Sequence, residues 1–202
     1  MQLAQFRAAL AGWGLLCAYD ESSVAVANEK LKDLPGAKIE FIKSDAKTMS
    51  LDRESFDLTV CMGSSHAFAE GKSAFEGAIV FMQNILKPNG MILIGEGYWK
   101  REPDPEYLEF IGDPVGVYNS FEGNIGIAES AGFVPVYATE SSLDEWDHFE
   151  WSFLLKAERA VISNPDNLDL RKKLDQVKAW NASYRKYGRS TMGYGHYVLM
   201  KK

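Results

Sequence analysis

Residue types that bind polar ligands follow directly after three short apolar runs of this chain. They are Asp20, Asp45 and the four-residue loop Gly63-Ser64-Ser65-His66. A carboxylate accepts hydrogen bonds from two hydroxyl groups at once, and a histidine gains or loses a proton near neutral pH. Ligands of an open parallel sheet bind at the carboxyl ends of its strands. If the apolar runs are parallel strands, these side chains form a binding site at one edge of the sheet.

Asp20 and Asp45 have the chemistry that suits a nucleoside. Asp20 is predicted to accept hydrogen bonds from both hydroxyls of a ribose. Asp45 is predicted to accept from the exocyclic amine of an adenine, while the backbone amide of Ala46 donates to a ring nitrogen. Each aspartate has a simpler alternative. Asp20 would be a helix N-terminal acid that the helix dipole stabilises, and Asp45 would be an ordinary turn aspartate.

Two further residues are candidates for handling a proton or holding a substrate. His66 follows the central loop and is the best-placed general base for removing a proton from a nucleophile. Glu96 follows a predicted strand and would orient an amine or a hydroxyl of the substrate. The alternatives are a hydrogen-bonded loop histidine and a structural helix or turn carboxylate.

Aromatic side chains in the second half of the chain suit a cationic or planar substrate. Tyr98, Trp99, Trp146, Trp151 and Tyr194 could cage such a molecule, and packing in the core or in a lid is the alternative. The neighbours Asp147, His148 and Glu150 contain one histidine at helical spacing, which is a weak metal-binding set. No metal site is predicted, and this segment is interpreted as a pocket lining or an exposed helix face.

Apolar periodicity alternates between strand and helix spacing along the chain. Strands are predicted at residues 15–19, 39–42, 58–62, 91–94, 133–139 and 194–200. Helices are predicted at residues 1–11, 22–34, 73–86, 122–131, 144–161 and 166–187. Ser22 or Ser23 is the predicted helix cap, and turns are expected at 35–36 and 87–90. This alternation is typical of a parallel sheet covered on both faces, so the predicted fold class is α/β.

Composition and charge narrow the class of protein. The chain has 202 residues and a net charge of −6. This length suits one domain, residues 1–202, in which 98–121 and 144–190 are predicted as lid or substrate-side insertions. The acidic balance disfavours nucleic acid and favours a small-molecule partner. No apolar run reaches the length of a membrane span, and Cys17 and Cys61 are interpreted as reduced core residues, so a cytoplasmic location is predicted. The oligomeric state stays open, with a homodimer as one alternative.

Four segments together resemble the class I S-adenosylmethionine-dependent methyltransferases. In chain order they are CAYDESSVAVANEKL, IEFIKSDAKTM, FDLTVCMGSSHAF and LKPNGMILIGEGYW, which cover residues 15–99. The later strands fit the reversed hairpin that ends the sheet of this family. The segment DEWDHFEWSF and the aromatic lid resemble its small-molecule branch.

The resemblance implies a three-layer Rossmann-like methyltransferase sheet, mostly parallel with an antiparallel last strand. It implies S-adenosylmethionine as cofactor. In that case Asp20, with Glu21 and Ser22 beside it, binds the ribose hydroxyls, Asp45 and Ala46 hold the adenine, and Met62 and Gly63 line the methionine end. The residues expected on the substrate side are Tyr98, Trp99, Trp146, His148 and Trp151.

The chain departs from the family at its N-terminus. The first strand and glycine-rich loop of the family are expected before or within residues 1–10, and no such segment is found there. Gly12-Trp13-Gly14 follows a predicted helix and precedes a strand, which is the wrong context for that loop. The chain therefore resembles an N-terminally truncated methyltransferase, and we expect weak cofactor affinity and a poorly supported sheet.

Three functional hypotheses follow. The first is methyl transfer from S-adenosylmethionine to a small-molecule acceptor. The second is a non-catalytic remnant or binding module of the methyltransferase fold, with weak or no cofactor binding. The third, another α/β nucleotide-binding enzyme such as a dehydrogenase, ranks last because no G-x-G-x-x-G sequence follows a predicted strand.

Overall fold

The computed structural model describes residues 14–33, 38–71, 73–112 and 117–202. The predicted helix at 1–11 and the predicted turn at 35–36 lie outside these residues. The chain divides into two compact units between Asp52 and Arg53. The single domain over 1–202, with insertions at 98–121 and 144–190, stays a prediction.

The first unit is a strand–helix–strand unit. Strand β1 (Gly14–Ala18) and strand β2 (Ile39–Lys43) are parallel, and helix α1 (Glu21–Leu31) lies between them in the chain. The predicted helix cap at Ser22 or Ser23 is wrong, because Asp20 is the extended residue before the first turn and its carboxylate accepts from the Ser23 amide. Both serines already lie within the helix.

The second unit is built on a four-stranded sheet with the order β3-β4-β6-β5. The strands are β3 (Phe56–Met62), β4 (Leu86–Trp99), β5 (Phe133–Glu140) and β6 (Met192–Lys201). Strands β3 and β4 are parallel, whereas β6 runs antiparallel to both β4 and β5. A parallel pair followed by a reversed hairpin is the arrangement that the sequence predicts.

Seven helices accompany the strands in the described residues. Besides α1 they are α2 (Ser73–Ile85), α3 (Pro105–Ile111), α4 (Phe121–Ser130), α5 (Leu143–Ser163), α6 (Leu168–Ser183) and α7 (Arg189–Thr191). A 3-10 turn (Ser65–Ala67) follows β3, and a π-helical turn (Tyr184–Gly188) joins α6 to α7. None of the helices in the described part of the chain is long and apolar enough to cross a membrane.

The structure corrects the predicted ends of β4. Its assigned start is Leu86, and the predicted turn at 87–90 is an excursion inside the strand, where Asn89 has a φ of 62°. Before this excursion Phe56 of β3 pairs with Leu86, and after it Leu58 pairs with Met91. The strand also continues through Trp99, because β6 pairs with it as far as that residue. Glu96 is therefore not the last residue of its strand.

The region at 98–121 is less irregular than predicted. It contains the end of β4 and helix α3, which Asp104 caps through the Glu106 amide and which ends at Gly112 in the left-handed region with a φ of 69°. Cys61 is buried as expected, whereas Cys17 is exposed, and both cysteines are free.

The buried apolar cluster of the second unit joins α2, α4 and the sheet. Helix α2 contributes an apolar stripe with the spacing of one helix face, and β4 and β6 contribute alternate residues. The main members are Phe75, Ala78, Ile79, Met82, Ile92, Ile94, Ala128, Tyr197 and Leu199. Burial of each large side chain contributes roughly 1.5–3 kcal/mol. This cluster holds the first turns of α2 and α4 against the sheet.

Gly193 and Gly195 leave room for two large rings on one face of β6. A Cβ atom at Gly193 would lie 2.4 Å from Cζ of Tyr98, and one at Gly195 would lie 2.3 Å from the hydroxyl of Tyr197. Both tyrosines are buried, and Tyr197 is fully so. The glycines are therefore required by packing rather than by backbone angles.

We expect Gly195→Ala to destabilise the second unit by about 1–3 kcal/mol, because the added methyl group overlaps a buried ring that cannot move. Gly126→Ala is the matched control, because a Cβ atom there meets no heavy atom within 4 Å. The control lies inside α4 and should raise stability by about 0.5–1 kcal/mol. Urea unfolding midpoints measure both changes, and equal midpoints for the two variants would contradict the packing argument.

Candidate active site

A cavity of about 350 Å³ lies in the second unit beyond the carboxyl end of β3. Its wall includes Gly63 and His66 after β3, Glu96 of β4, and Tyr118, Asn119 and Asn124 near the start of α4. Of the predicted site residues, the structure thus brings Gly63, His66 and Glu96 together. This volume falls in the range of small-molecule sites.

The cavity opens there because β3 stops while β4 continues. The last paired residues are Met62 and Gly95, and the Gly63 amide closes the ladder by donating to the Gly95 carbonyl at 2.8 Å. Gly63 then turns the chain away from the sheet with a φ of 63°. A Cβ atom at Gly63 would lie 3.2 Å from the Tyr194 hydroxyl, so glycine suits both the backbone angle and the space.

The Glu96 carboxylate is fixed by two donors. The Ser65 hydroxyl donates to Oε2, and the backbone amide of Gly97 donates to Oε1 at 2.9 Å. Ser65 is buried in the 3-10 turn, so this contact joins the loop after β3 to the middle of β4. Glu96 itself is half-buried and faces the cavity.

The negative charge of Glu96 affects its neighbours. Burial raises the pKa of Cys61 to about 11 and the pKa of Tyr197 to about 12, and Glu96 adds to both shifts. Burial also raises the pKa of Tyr194, again with Glu96 contributing. All three groups therefore stay protonated and neutral at pH 7. In the described ranges, no lysine or arginine lies within ion-pair distance of Glu96.

The opposite wall is made of an amide chain and an aromatic ring. The Asn119 amide nitrogen donates to Oδ1 of Asn124 at 3.2 Å, and the Asn124 nitrogen donates to the Tyr197 hydroxyl at 3.2 Å. The Tyr118 ring lies against Gly97, where a Cβ atom would come within 3.1 Å of it. A side chain on residue 97 would therefore push Tyr118 from its place.

Ser65 lines this cavity, as its place in the loop after β3 led us to expect. Phe75, Tyr118, Asn119 and Asn124 also line it but were not predicted as site residues. The signal for the two asparagines was their position, since they flank Ser120, which caps α4 through the Gly123 amide. Polar residues at the start of a helix that follows a sheet strand are candidates for lining a cavity. No local pattern in the sequence indicates that they lie opposite Glu96.

Asp20 and Asp45 each use one carboxylate oxygen in the first unit. Oδ1 of Asp20 accepts from the Ser22 hydroxyl at 2.5 Å and the Ser23 amide at 2.8 Å. Oδ1 of Asp45 accepts from the Lys47 amide at 2.9 Å. The simpler alternatives, a helix cap and a turn aspartate, are thus present, and no hydrogen bond from another described residue reaches the second oxygen of either aspartate. Ala46 follows in the same turn, and Glu21 is the first residue of α1.

The predicted aromatic substrate residues do not line the cavity. Tyr98 is buried and its hydroxyl donates to Glu140, while Trp99 packs edge-on against Tyr118. Trp146 packs on Tyr194 with the ring centres 6.1 Å apart. These contacts correspond to packing in the core or in a lid, which was the alternative to a substrate cage.

His148 and Trp151 are exposed on α5, away from the cavity lining. Trp151 lies under Arg185, whose guanidinium is 5.9 Å from the ring centre. Their neighbour Asp147 forms a bidentate pair with Arg189 and accepts from the Tyr184 hydroxyl. Among residues 14–33, 38–71, 73–112 and 117–202, no group of His, Cys, Asp and Glu side chains could hold a metal ion.

Comparison with known proteins adds to this geometry. Residues 4–94 match the family model described as "Methyltransferase domain". This match covers just under half of the chain and confirms the predicted resemblance to methyltransferases over those residues. The predicted Rossmann-like α/β fold is confirmed by two solved structures. The match also agrees with the prediction of S-adenosylmethionine as cofactor.

Two solved structures have the same fold as this chain. One is described as a SAM-dependent methyltransferase from Thiobacillus denitrificans in complex with S-adenosyl-L-homocysteine, with a TM-score of 0.82 and 21% identity over 99% of this chain and 80% of that one. The other, from Geobacter sulfurreducens and described in the same terms, has a TM-score of 0.78 and 22% identity over 94% of this chain and 76% of that one.

One curated relative is "Uncharacterized protein YjhP" of Escherichia coli (strain K12). It is 26% identical over 170 residues, which are 82% of this chain and 65% of that protein. The chain thus spans about two thirds of the length of this relative.

The capping contacts of Asp20 predict how this residue titrates. Its hydrogen bonds with Ser22 and Ser23 lower its pKa from 3.8 to about 2. Because the folded pKa lies below the unfolded one, the stabilisation is complete above about pH 4 and is lost as the pH falls through 2. Carboxyl-detected NMR titration of the intact chain should show this low pKa, and a midpoint near 3.8 would contradict it.

Two variants separate the charge of Asp20 from its capping role. Asp20→Ala removes the cap and should fray α1 at neutral pH. Asp20→Asn keeps a side-chain acceptor, so it should preserve the helix while abolishing the acid dependence. Helix content followed by circular dichroism from pH 7 to pH 2 tests both variants.

Proposed function

We propose that this chain transfers a methyl group from S-adenosylmethionine to a small-molecule acceptor held in the cavity beyond β3. The observation that carries the proposal is the position of this cavity. It lies at the carboxyl end of a parallel strand, where ligands of open α/β sheets bind, and its wall includes Gly63, His66 and Glu96.

The first unit offers contacts that fit the nucleoside part of the cofactor. Asp20 keeps one carboxylate oxygen for a ribose hydroxyl, and we propose that Glu21 and Ser22 lie at the same contact. Asp45 would accept from the adenine amine through its second oxygen, and the Ala46 amide would donate to the ring. Asp20 is ionised throughout the physiological range, because its pKa is near 2.

The second unit offers contacts that fit the methionine end. Gly63 has no side chain at the cavity wall, so a ligand can approach its backbone closely. The Met62 side chain is partly exposed and its terminal methyl group lies over Gly95. We propose that Met62 and Gly63 contact the methionine moiety.

Methyl transfer requires the protein to position the acceptor and the methyl donor more than to activate them. S-adenosylmethionine supplies a methyl group that is already activated as a sulfonium. The protein must hold the acceptor atom in line with this group, and alignment alone lowers the barrier substantially. His66 would accept a proton from the acceptor and Glu96 would orient it. In the proposal Tyr98, Trp99 and Trp146 act through the shape of the substrate side, since they pack near the cavity wall or β6. For His148 and Trp151, which are exposed on α5, a substrate contact stays a prediction.

The net charge and the cysteines support the proposed substrate class and cellular compartment. The net charge of −6 argues against a nucleic-acid substrate. Both cysteines are unpaired, which favours the cytoplasm as the compartment.

A second candidate function is a binding module that does not catalyse methyl transfer. The observation that favours it is the edge position of β3 in the described sheet. Leu58, Val60 and Met62 are 37%, 37% and 41% exposed along that strand. An open edge so near the cavity would lower the affinity for the cofactor.

Calorimetric titration with S-adenosylhomocysteine separates the two functions. Micromolar binding supports the enzyme, whereas absence of heat together with an unchanged melting temperature favours the binding module. Asp45→Ala should weaken binding about tenfold or more, because one charged hydrogen bond contributes about 1.5–3 kcal/mol. Asp33→Ala is the matched control, since this exposed aspartate of the same unit has no proposed contact. Equal affinities of the two variants would contradict the role of Asp45.

A further inference from the structure

We propose that the acceptor bound in the cavity carries an amine, and that the Glu96 carboxylate binds this amine as an ammonium ion. The inference rests on the proposed function and names the class of its substrate. It depends on the charge, the hydrogen bonding and the aromatic wall of the cavity.

The charge of the cavity wall is unbalanced. Among the described residues that line it, Glu96 is the only carboxylate, and none of them is a lysine or an arginine. A half-buried carboxylate without a cationic partner loses hydration and is stabilised when a cation enters. An ammonium group of a small molecule is such a cation, whereas a carboxylate or phosphate on the acceptor would be repelled.

The carboxylate of Glu96 is also oriented in advance. The Ser65 hydroxyl holds Oε2 and the Gly97 amide holds Oε1, so the group does not have to be ordered when a ligand binds. A carboxylate has about four lone-pair positions, and the two donors use one on each oxygen. Each oxygen therefore keeps an acceptor position for an N–H group of the ligand.

The rest of the wall presents acceptors and rings. One N–H of the Asn119 amide donates to Asn124, which leaves its second N–H and its carbonyl oxygen for a ligand, and the oxygen accepts from N–H. Phe75 and Tyr118 also line the cavity. Aromatic faces attract cations, and the fit is better for an ammonium ion than for a neutral hydroxyl.

The amine must lose one proton before it can react. His66 also lines the cavity, and its neutral imidazole takes this proton. The nitrogen lone pair then forms a bond to the methyl carbon, and the electron pair of the carbon–sulfur bond stays on sulfur, which becomes a neutral thioether. The methylated nitrogen takes up the positive charge, so the product is again a cation held by Glu96.

Two matched probes test the inference on the unaltered chain. 2-Phenylethylamine and 2-phenylethanol have the same ring and spacer and differ only in the head group. We expect the amine to bind about tenfold or more tightly, since a hydrogen bond to a charged group is worth about 1.5–3 kcal/mol. Chemical-shift titration at pH 7 measures both constants and shows whether the resonances of Gly97 and Asn119 move.

Glu96→Gln should reduce the affinity for the amine to that for the alcohol and leave the alcohol unaffected. Glu122→Gln is the matched control, since this glutamate is exposed in the first turn of α4 and does not line the cavity. The control should bind the amine like the unaltered chain. Melting temperatures of both variants report whether they fold.

Three results would overturn the inference: equal binding of amine and alcohol, no binding of either probe, or full amine affinity in a folded Glu96→Gln variant. If that variant does not fold, the comparison of the two probes on the unaltered chain decides alone. Titration with S-adenosylhomocysteine in the same samples tests the proposed function separately. A preference for the amine without cofactor binding would contradict the proposed function and support the amine site. Cofactor binding without a preference for the amine would support the proposed function and contradict the amine site.

Discussion

The hydrogen bond from the Gly63 amide to the Gly95 carbonyl ends one strand while its neighbour goes on. This difference in length creates the cavity, because the chain after β3 leaves the sheet and β4 continues beneath it. Glu96 is the first residue of β4 beyond the last pair with β3. Its side chain therefore emerges where the pairing of β3 and β4 ends, and the loop after β3 reaches back to it through Ser65.

The part of β4 that forms the floor of the cavity depends on β6. Beyond Gly95 the strand is held by its antiparallel partner as far as Trp99. Gly193 and Gly195 make this pairing compatible with the large rings of Tyr98 and Tyr197 on the same face. The position of Glu96 is thus coupled to residues that are about a hundred positions away in the sequence. A change in the packing of β6 would move the floor of the cavity without touching any ligand.

Much of the fold was predictable from local patterns. Residues 58–62 and the apolar stripe of α2 were expected from periodicity and turn residues, and the reversed pair formed by β5 and β6 was implied by the family resemblance. The predicted position of Glu96 at a strand end was wrong, because the extension of β4 is imposed by pairing with β6 and leaves no mark in residues 95–99. The turn predicted at 87–90 was partly right, since Asn89 does have a left-handed backbone within the strand.

Predicted residues that follow β3 lie at the cavity wall, whereas the predicted aromatic residues pack against other side chains. Gly63 and His66 follow directly after a strand, and their place depends on one short segment. Tyr98 and Trp99 carry aromatic rings that suit a ligand or a core equally well, and only the tertiary contacts decide between the two. Asn119 and Asn124 were missed, because they are distant from β3 in the sequence and the start of α4 brings them to the cavity.

The edge of β3 has a consequence for the behaviour of this protein in concentrated solution. In the described sheet its backbone donors and acceptors are paired on one side only, and the apolar side chains of Leu58, Val60 and Met62 are partly exposed beside them. Such an edge is a template for another strand. Asp57, the second residue of β3, forms an ion pair with Lys87. This charge lies only at the beginning of the strand. Handling of the isolated chain therefore favours low concentration, and a lysine at residue 60 would act as a gatekeeper against sheet-to-sheet aggregation.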